Sequence, residues 1–501
     1  MTFWTSRALL GALLVASLAV RARHLATPLV EEHPFRQAQT AITVWAMVDN
    51  GIRLFNYETP IFGPPWQVPF EFPIFQAAAA LLVKAGAESI DAACRATNLF
   101  FFYLSAGFLY ALCRRHFEEW AASACILMAY VWMPFTIFWS RTAMIDYASV
   151  TFTLAYLYYL EGWVLNRGAR LYLIAATGFG FLSLLTKPTT TPIVAVAIGW
   201  AVVRRLGDDL RGASTARDRL RRVLTSGLGL GVAGLLPLMA VYAWTTFADR
   251  VKAASPATSW LVSGSLGLWT YGTWEQRTQW EAWQTVWLRM WDNFAPEYFV
   301  VFPLFGLVWA MTSGRTGRSF VLTMLLGGVL TQATFFNLYF LHTYYQMAIS
   351  PTAAILVGVG LYALCVESVH NQIARWVIPL LLLRILYGQG SILAAPFGLT
   401  YEGAPAYRIG KVLQEATTPD ERVIVEGRDW SADFLYYARR RGLMMRGSIA
   451  DVNPAELGPW LKANQFTTVL SNLDPPPVVR FWNHNRLVAE ADTFRIYKVW
   501  D

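Results

Sequence analysis

A chain of 501 residues that is 55% hydrophobic and 15% charged, with a mean hydropathy of +0.36, is too apolar for an ordinary soluble domain and reads as an integral membrane protein. Its net charge of +8 does not point to nucleic acid, because the arginines fall in short connections between apolar runs, where membrane topology accounts for them. The four cysteines, Cys94, Cys113, Cys125 and Cys365, lie in or at the ends of apolar runs without metal-ligand spacing, so they are expected to pack rather than to form disulfides or thiolate sites.

In chain order, Arg7 followed by the apolar run 8–20 has the outline of a signal peptide. It is read instead as an uncleaved first span that runs on toward Leu29. Windows long enough to cross a bilayer then fall at 4–24, 96–113, 120–138, 147–165, 171–186, 188–203, 223–244, 296–312, 319–337, 347–366 and 375–396. The basic connections alternate along this series: Arg114 and Arg115, then Arg167 and Arg170, then a run from Arg204 to Arg222, then Arg315 and Arg318, then Arg375. Placing the N-terminus in the cytoplasm puts every one of them inside and the C-terminus outside. The expected architecture is therefore mainly α, a polytopic membrane helix bundle of about eleven spans over residues 1–399, with outer loops at 25–95 and 245–295. An extracytoplasmic α/β domain over 400–501 follows.

The outer connections carry the polar residues of interest. The first holds Glu31-Glu32-His33 and Phe35-Arg36-Gln37, then Tyr57-Glu58-Thr59-Pro60 and Phe70-Glu71-Phe72-Pro73, with short surface helices expected at 35–50 and 75–85. Others hold Ser140-Arg141 through Asp146, Thr186-Lys187-Pro188, and His342-Thr343-Tyr344-Tyr345. In the second long loop Trp280, Trp283, Trp287 and Trp291 recur at helical spacing on one face, which suits a helix lying among headgroups or a wall of a substrate path. Beyond residue 400 the pattern predicts strands at 422–426, 467–471 and 494–499 and helices at 432–440 and 454–463, with no phosphate-binding glycine loop.

Ionisable groups near a membrane are costly and default to functional candidates. Alternation of the spans sends Glu31, Glu32, Asp146, Lys187 and His342 to one face. Paired carboxylates from separate loops suit general-base catalysis, and a neighbouring Arg or Lys suits a phosphate leaving group. Each residue also has a purely structural reading: Asp146 as a helix cap, Arg141 as a side chain reaching to headgroups, Lys187-Pro188 as a turn, Glu71 as a loop charge, and Arg384 as a buried arginine held by a carbonyl.

These motifs, in this order and topology, resemble the type C glycosyltransferases of family 39, which include the protein O-mannosyltransferases and the lipid A aminoarabinose transferases. The resemblance covers roughly residues 1–396. It implies a polyprenyl-phosphate sugar donor, transfer on the extracytoplasmic side, and a catalytic base in the first outer loop. Glu31-Glu32 occupies that place, with Glu31 departing from the more usual Asp, which leaves the choice between the two glutamates open. Asp146 matches the second acidic position. By the same resemblance Arg141, Lys187 and the His342, Tyr344 and Tyr345 segment face the donor phosphate or lipid, and Glu71 the sugar or a metal. His33, Arg36, Gln37 and Arg384 are further substrate-binding candidates, and His342 is a second candidate for a divalent metal. The Trp-Trp-Asp-Tyr-Gly pattern of oligosaccharyltransferases does not occur in the chain.

The implied partners are a polyprenyl-phosphate sugar, a lipid, glycan or protein acceptor, and membrane lipids, in a bacterial inner membrane, with no nucleic acid. Two rival classes remain at this stage: a transporter or flippase of lipid-linked sugars, and a membrane scaffold. The chain shows no internal repeat of the kind common in secondary transporters.

Overall fold

The computed structural model describes residues 7–166, 169–212, 215–294, 300–312, 317–364, 390, 397–445 and 454–501. Helix α1 (Arg7–Ala22) leads into the first long loop, which contains α2 (Pro34–Asn50) and α3 (Ile74–Lys84). The bundle continues with α4 (Ile90–His116), α5 (Trp120–Trp132), α6 (Pro134–Trp139), α7 (Asp146–Leu165), α8 (Arg170–Thr186), α9 (Pro192–Arg211) and α10 (Ala216–Ala253). The second long loop holds α11 (Gly267–Tyr271), α12 (Trp274–Thr278) and α13 (Trp280–Phe294); then come α14 (Val301–Thr312), α15 (Gly317–Thr334), α16 (Phe336–Leu341) and α17 (Ser350–Tyr362).

Local chemistry sets several boundaries. Ser89 accepts from the Ala92 amide at 3.1 Å and starts α4 six residues before the apolar run. Thr215 does the same for α10. Proline at the first turn opens α2, α6 and α9, where its missing N–H costs nothing. Pro134 also forces Met133 into an extended conformation, so the window 120–138 is two helices and not one.

Among the described residues three helical stretches are long and apolar enough to cross a membrane by themselves: Ile90–His116, Ala216–Ala253 and Thr343–Tyr362. Ten of the eleven windows coincide with helices, several of them shorter; the eleventh, 375–396, lies outside the described residues apart from Gly390.

Helices α14 and α17 meet with almost no side chain between them. A Cβ on Gly306 would stand 2.0 Å from the Leu356 carbonyl oxygen, and one on Gly360 1.9 Å from that of Phe302. Cys94 and Cys113 are buried free thiols in the core, as expected of packing residues.

The C-terminal unit is a five-stranded sheet in the order β2-β1-β3-β5-β4, with β1 (Arg422–Glu426) parallel to β2 (Arg441–Met444) and β3 (Phe466–Ser471). β5 (Phe494–Trp500) runs antiparallel to β3 and to β4 (His484–Ala491). The anticipated strands β1, β3 and β5 and the helices Asp433–Ala438 and Pro454–Ala463 are present. The helix Pro405–Glu415, β2 and β4 are additional: β2 is four residues long, and β4 is a mostly exposed edge strand without an apolar alternation.

The edge of β2 is covered by the first long loop. Gly63 donates to the Gly442 carbonyl at 2.9 Å, Gly442 to that of Pro60 at 3.0 Å, and Met444 to that of Ile61 at 2.9 Å, so the loop satisfies backbone groups an open edge would expose. Tyr401 donates to Asp91 at 2.8 Å, Tyr436 donates to the other oxygen of the same carboxylate, and the Leu29 amide donates to the Tyr437 hydroxyl at 2.7 Å. The sheet domain is thereby joined to the start of α4 and to the residues just before Glu31.

Candidate active site

The turn from Pro28 to His33 enters α2 with His33 at φ +55°, a left-handed conformation that turns the chain back into the helix. Glu31 points inward and meets Arg95 at 2.5 Å, both side chains nearly fully buried. Arg95 also donates to the carbonyls of Pro28 (3.0 Å) and Arg141 (2.6 Å), so one guanidinium ties the first long loop to the loop before α7.

Gln37 makes a second tie. Its amide nitrogen lies 3.0 Å from the Glu32 carbonyl and 3.5 Å from Glu31 Oε2, while its oxygen accepts from the Ala143 amide at 3.0 Å.

Asp146 is the first residue of α7 and is 1% exposed. Lys187 reaches its Oδ1 at 2.5 Å, and among the described residues Oδ2 has no hydrogen-bond partner. Lys187 stands between the end of α8 and a short 3-10 turn at Pro188–Thr190, and its carbonyl accepts from Ser149 and Thr190, which anchors it beside α7. Its ammonium sits over the rings of Tyr345 (4.4 Å) and Tyr344 (5.0 Å).

These two tyrosines stack on each other at 4.4 Å and on the imidazoles of the site: Tyr344 is 5.0 Å from His33 and 5.4 Å from His342, and the two imidazoles are 5.1 Å apart. His33 shares Thr343 with Glu32, at 3.0 and 3.1 Å. Burial pushes both His33 and His342 down to about 4, aided for each by the Arg289 charge. Both imidazoles are therefore neutral at pH 7.

Arg36 pairs with Glu71 at 3.0 Å, and Gln76 donates to the other oxygen at 2.7 Å. Burial alone would raise the Glu71 carboxyl, but the Arg36 charge and these hydrogen bonds outweigh it and hold it below its ordinary value.

The structure thus brings Glu31, Glu32, His33, Arg36, Gln37, Glu71, Asp146, Lys187, His342, Tyr344 and Tyr345 to one end of the bundle. Arg141 lies beside them, its carbonyl accepting from Arg95. Its guanidinium donates to the carbonyls of Arg21 (2.8 Å), Arg23 and His24 and lies 3.8 Å over Phe397, where it complements the C-terminal end of α1. Arg384 lies outside the described residues. Among the described residues no three His, Cys, Asp or Glu side chains come together as a metal site. Glu71 is engaged by Arg36 and Gln76, and His342 by aromatic rings.

Arg95 and Arg289 were not anticipated. Arg95 falls just before the apolar window 96–113, yet the Ser89 cap could have placed it on the first turns of α4. Arg289 hides in the tryptophan stripe of α13, whose face is split: Trp280, Trp287 and Trp291 are exposed, while Trp283 packs on Phe336 at 4.6 Å. Between them Arg289 donates to the Phe340 carbonyl at 2.7 Å and seats α13 above α16.

No family model and no curated protein sequence matches the chain. Its fold is similar to that of ArnT from Cupriavidus metallidurans bound to undecaprenyl phosphate, with a TM-score of 0.64 at 14% identity over 99% of this chain and 98% of that one. It is also similar to the archaeal oligosaccharyltransferase AglB from Archaeoglobus fulgidus in complex with an inhibitory peptide and a dolichol-phosphate, with a TM-score of 0.59 at 11% identity over 94% of this chain and 70% of that one. The resemblance drawn from the sequence stops near residue 396, whereas the first of these likenesses runs through the C-terminal sheet domain as well. The chain has the fold of a type C membrane glycosyltransferase.

Proposed function

We propose that this protein is a membrane glycosyltransferase that moves one sugar from a polyprenyl-phosphate donor to an acceptor on the extracytoplasmic face, with inversion at the anomeric carbon. The observation that carries this reading is the pair of carboxylates presented from separate loops, each bound by a buried cation: Glu31 by Arg95 and Asp146 by Lys187. Support comes from the two solved neighbours, one bound to undecaprenyl phosphate and one to dolichol-phosphate. The reading includes about eleven spans, a cytoplasmic N-terminus and an outer sheet domain, which put the cluster at the outer surface.

In this mechanism Glu31 takes the proton of the acceptor hydroxyl. Its Oε1 is bound by Arg95, whereas Oε2 has only the 3.5 Å approach of Gln37 and can accept. The acceptor oxygen attacks the anomeric carbon from the face opposite the phosphate, and the bond to the phosphate oxygen breaks with its electron pair. Asp146 Oδ2 orients the acceptor or a sugar hydroxyl. Lys187 and Arg36 offer positive charge to the leaving polyprenyl phosphate, and the tyrosine pair beside Lys187 gives the sugar ring an apolar face. No step is assigned to a metal.

The test is turnover of a polyprenyl-phosphate sugar by detergent-purified protein, where no membrane gradient exists to drive a transporter. Mass spectrometry of lipid that copurifies with the protein identifies the donor. Glu31→Gln and Asp146→Asn should each lower kcat by about 100-fold or more, and Glu32→Gln by less, since Glu32 is exposed and held only by Thr343. Unchanged kcat in all three well-folded variants would remove the assignment, and a Glu32→Gln loss larger than that of Glu31→Gln would move the base to Glu32.

A further inference from the structure

A second constellation lies at the opposite end of the bundle. Helix α9 starts beside Lys187, and Arg204 stands roughly 18 Å farther along it. Helix α4 ends there at His116, α7 delivers Glu161 in its last turns, and α15 begins there with Ser319 in its first turn.

Between α9 and α15 runs an open groove of about 520 Å³ lined by Val196, Gly199, Val203, Leu322 and Leu326. Past Trp200, Ser319 and Thr323, which line both spaces, it joins a smaller chamber of about 120 Å³. The chamber is closed off by a pair that needs no ligand: His116 meets Glu161 at 2.7 Å and stacks on Phe320 at 4.2 Å.

Two cations flank the junction of groove and chamber, Arg318 in the groove wall and Arg204 in the chamber wall. Both are exposed, and neither makes an ion pair or hydrogen bond among the described residues. The ion pairs nearby use other partners: Glu161 is held by His116 and Arg115, and Asp209 by Arg205.

An open apolar groove that ends near two uncompensated guanidinium groups, with the hydroxyls of Ser319 and Thr323 on its wall, is complementary to one class of molecule. We propose that this groove binds an anionic phospholipid, with an acyl chain along Gly199, Val203 and Leu326, the phosphate between Arg204 and Arg318, and the headgroup hydroxyls toward Ser319 and Thr323. Charge selects the ligand: guanidinium pairs prefer a phosphate whose charge is not already balanced within the lipid. With the cluster around Asp146 at the outer surface, this site belongs to the cytoplasmic leaflet, beside the basic connections.

The experiment uses the whole protein reconstituted in nanodiscs of equal phosphatidylglycerol and phosphatidylcholine, then released into detergent for native mass spectrometry. The wild type should retain one phosphatidylglycerol in preference to phosphatidylcholine by about 30-fold, the factor two basic residues supply near an anionic surface. Arg204→Gln with Arg318→Gln should bring the two lipids to parity. Gly199→Leu acts independently of charge: a Cβ there meets no atom within 4 Å, so the side chain grows into the groove and should displace retained lipid of either kind while the elution profile stays unchanged. Equal retention of both lipids by the wild type, retention of none, or phosphatidylglycerol retention that survives both variants would each overturn the proposal.

Discussion

At the scale of single residues, the site is governed by which charges are paired and how deeply. Arg95 and Glu31 are 1% and 4% exposed, so removing one strands the other in a poorly solvated place. Arg95→Met is expected to cost about 3 kcal/mol or more in stability, read as a fall in thermal unfolding temperature. The double variant with Glu31→Gln should recover part of that loss, as two unrelated effects would not.

The imidazoles give a second expectation. Their folded values near 4 lie below the unfolded 6.5, so the unfolded chain binds more protons between those limits. Stability is therefore full above about pH 6.5 and is lost as pH falls toward 4. The pH dependence of thermal unfolding should show this slope, and His33→Gln should make it shallower.

At the scale of elements, polar groups at helix ends place the chemistry, and glycines set how closely helices approach. Asp146 and Lys187 meet because one begins α7 and the other ends α8, two antiparallel helices joined by a short connection. The close crossing of α14 and α17 admits no side chain. Gly306→Leu should lower the thermal unfolding temperature by the equivalent of about 3 kcal/mol or abolish folding, because the obstacle is backbone, the Leu356 carbonyl.

The sequence carries clear signals for elements of this kind, since apolar runs, prolines and caps are local. It carries poor ones where a boundary depends on a cap upstream of the apolar run, as at α4, or where an edge strand is polar on both sides, as in β4.

At the scale of the whole molecule, the C-terminal sheet supports the first long loop. It pairs with residues 60–63, holds Asp91 one turn before Arg95, and fixes the Leu29 amide two residues before Glu31. Replacing Tyr401 and Tyr436 together by Phe leaves the Asp91 carboxylate without those donors. Limited proteolysis should then release the sheet domain faster than in the wild type, and kcat should fall although no residue of the cluster has been changed. An unchanged cleavage rate would mean that the backbone pairing at 60–63 alone holds the domain.

The sequence by itself determined the mainly helical, apolar character of the protein, its type C glycosyltransferase fold and most of the polar loop residues that gather at one end of the bundle, because these follow from hydropathy, charge and order along the chain. Only the tertiary structure decided which charges pair. Arg95 holds Glu31, Lys187 holds Asp146, and Arg141 turns to the carbonyls of α1, since such choices depend on direction and distance between segments far apart in sequence. The same holds for the basic groove at the other end. Arg204 and Arg318 read as ordinary topology signals, and only packing α9 against α15 places both beside one apolar channel.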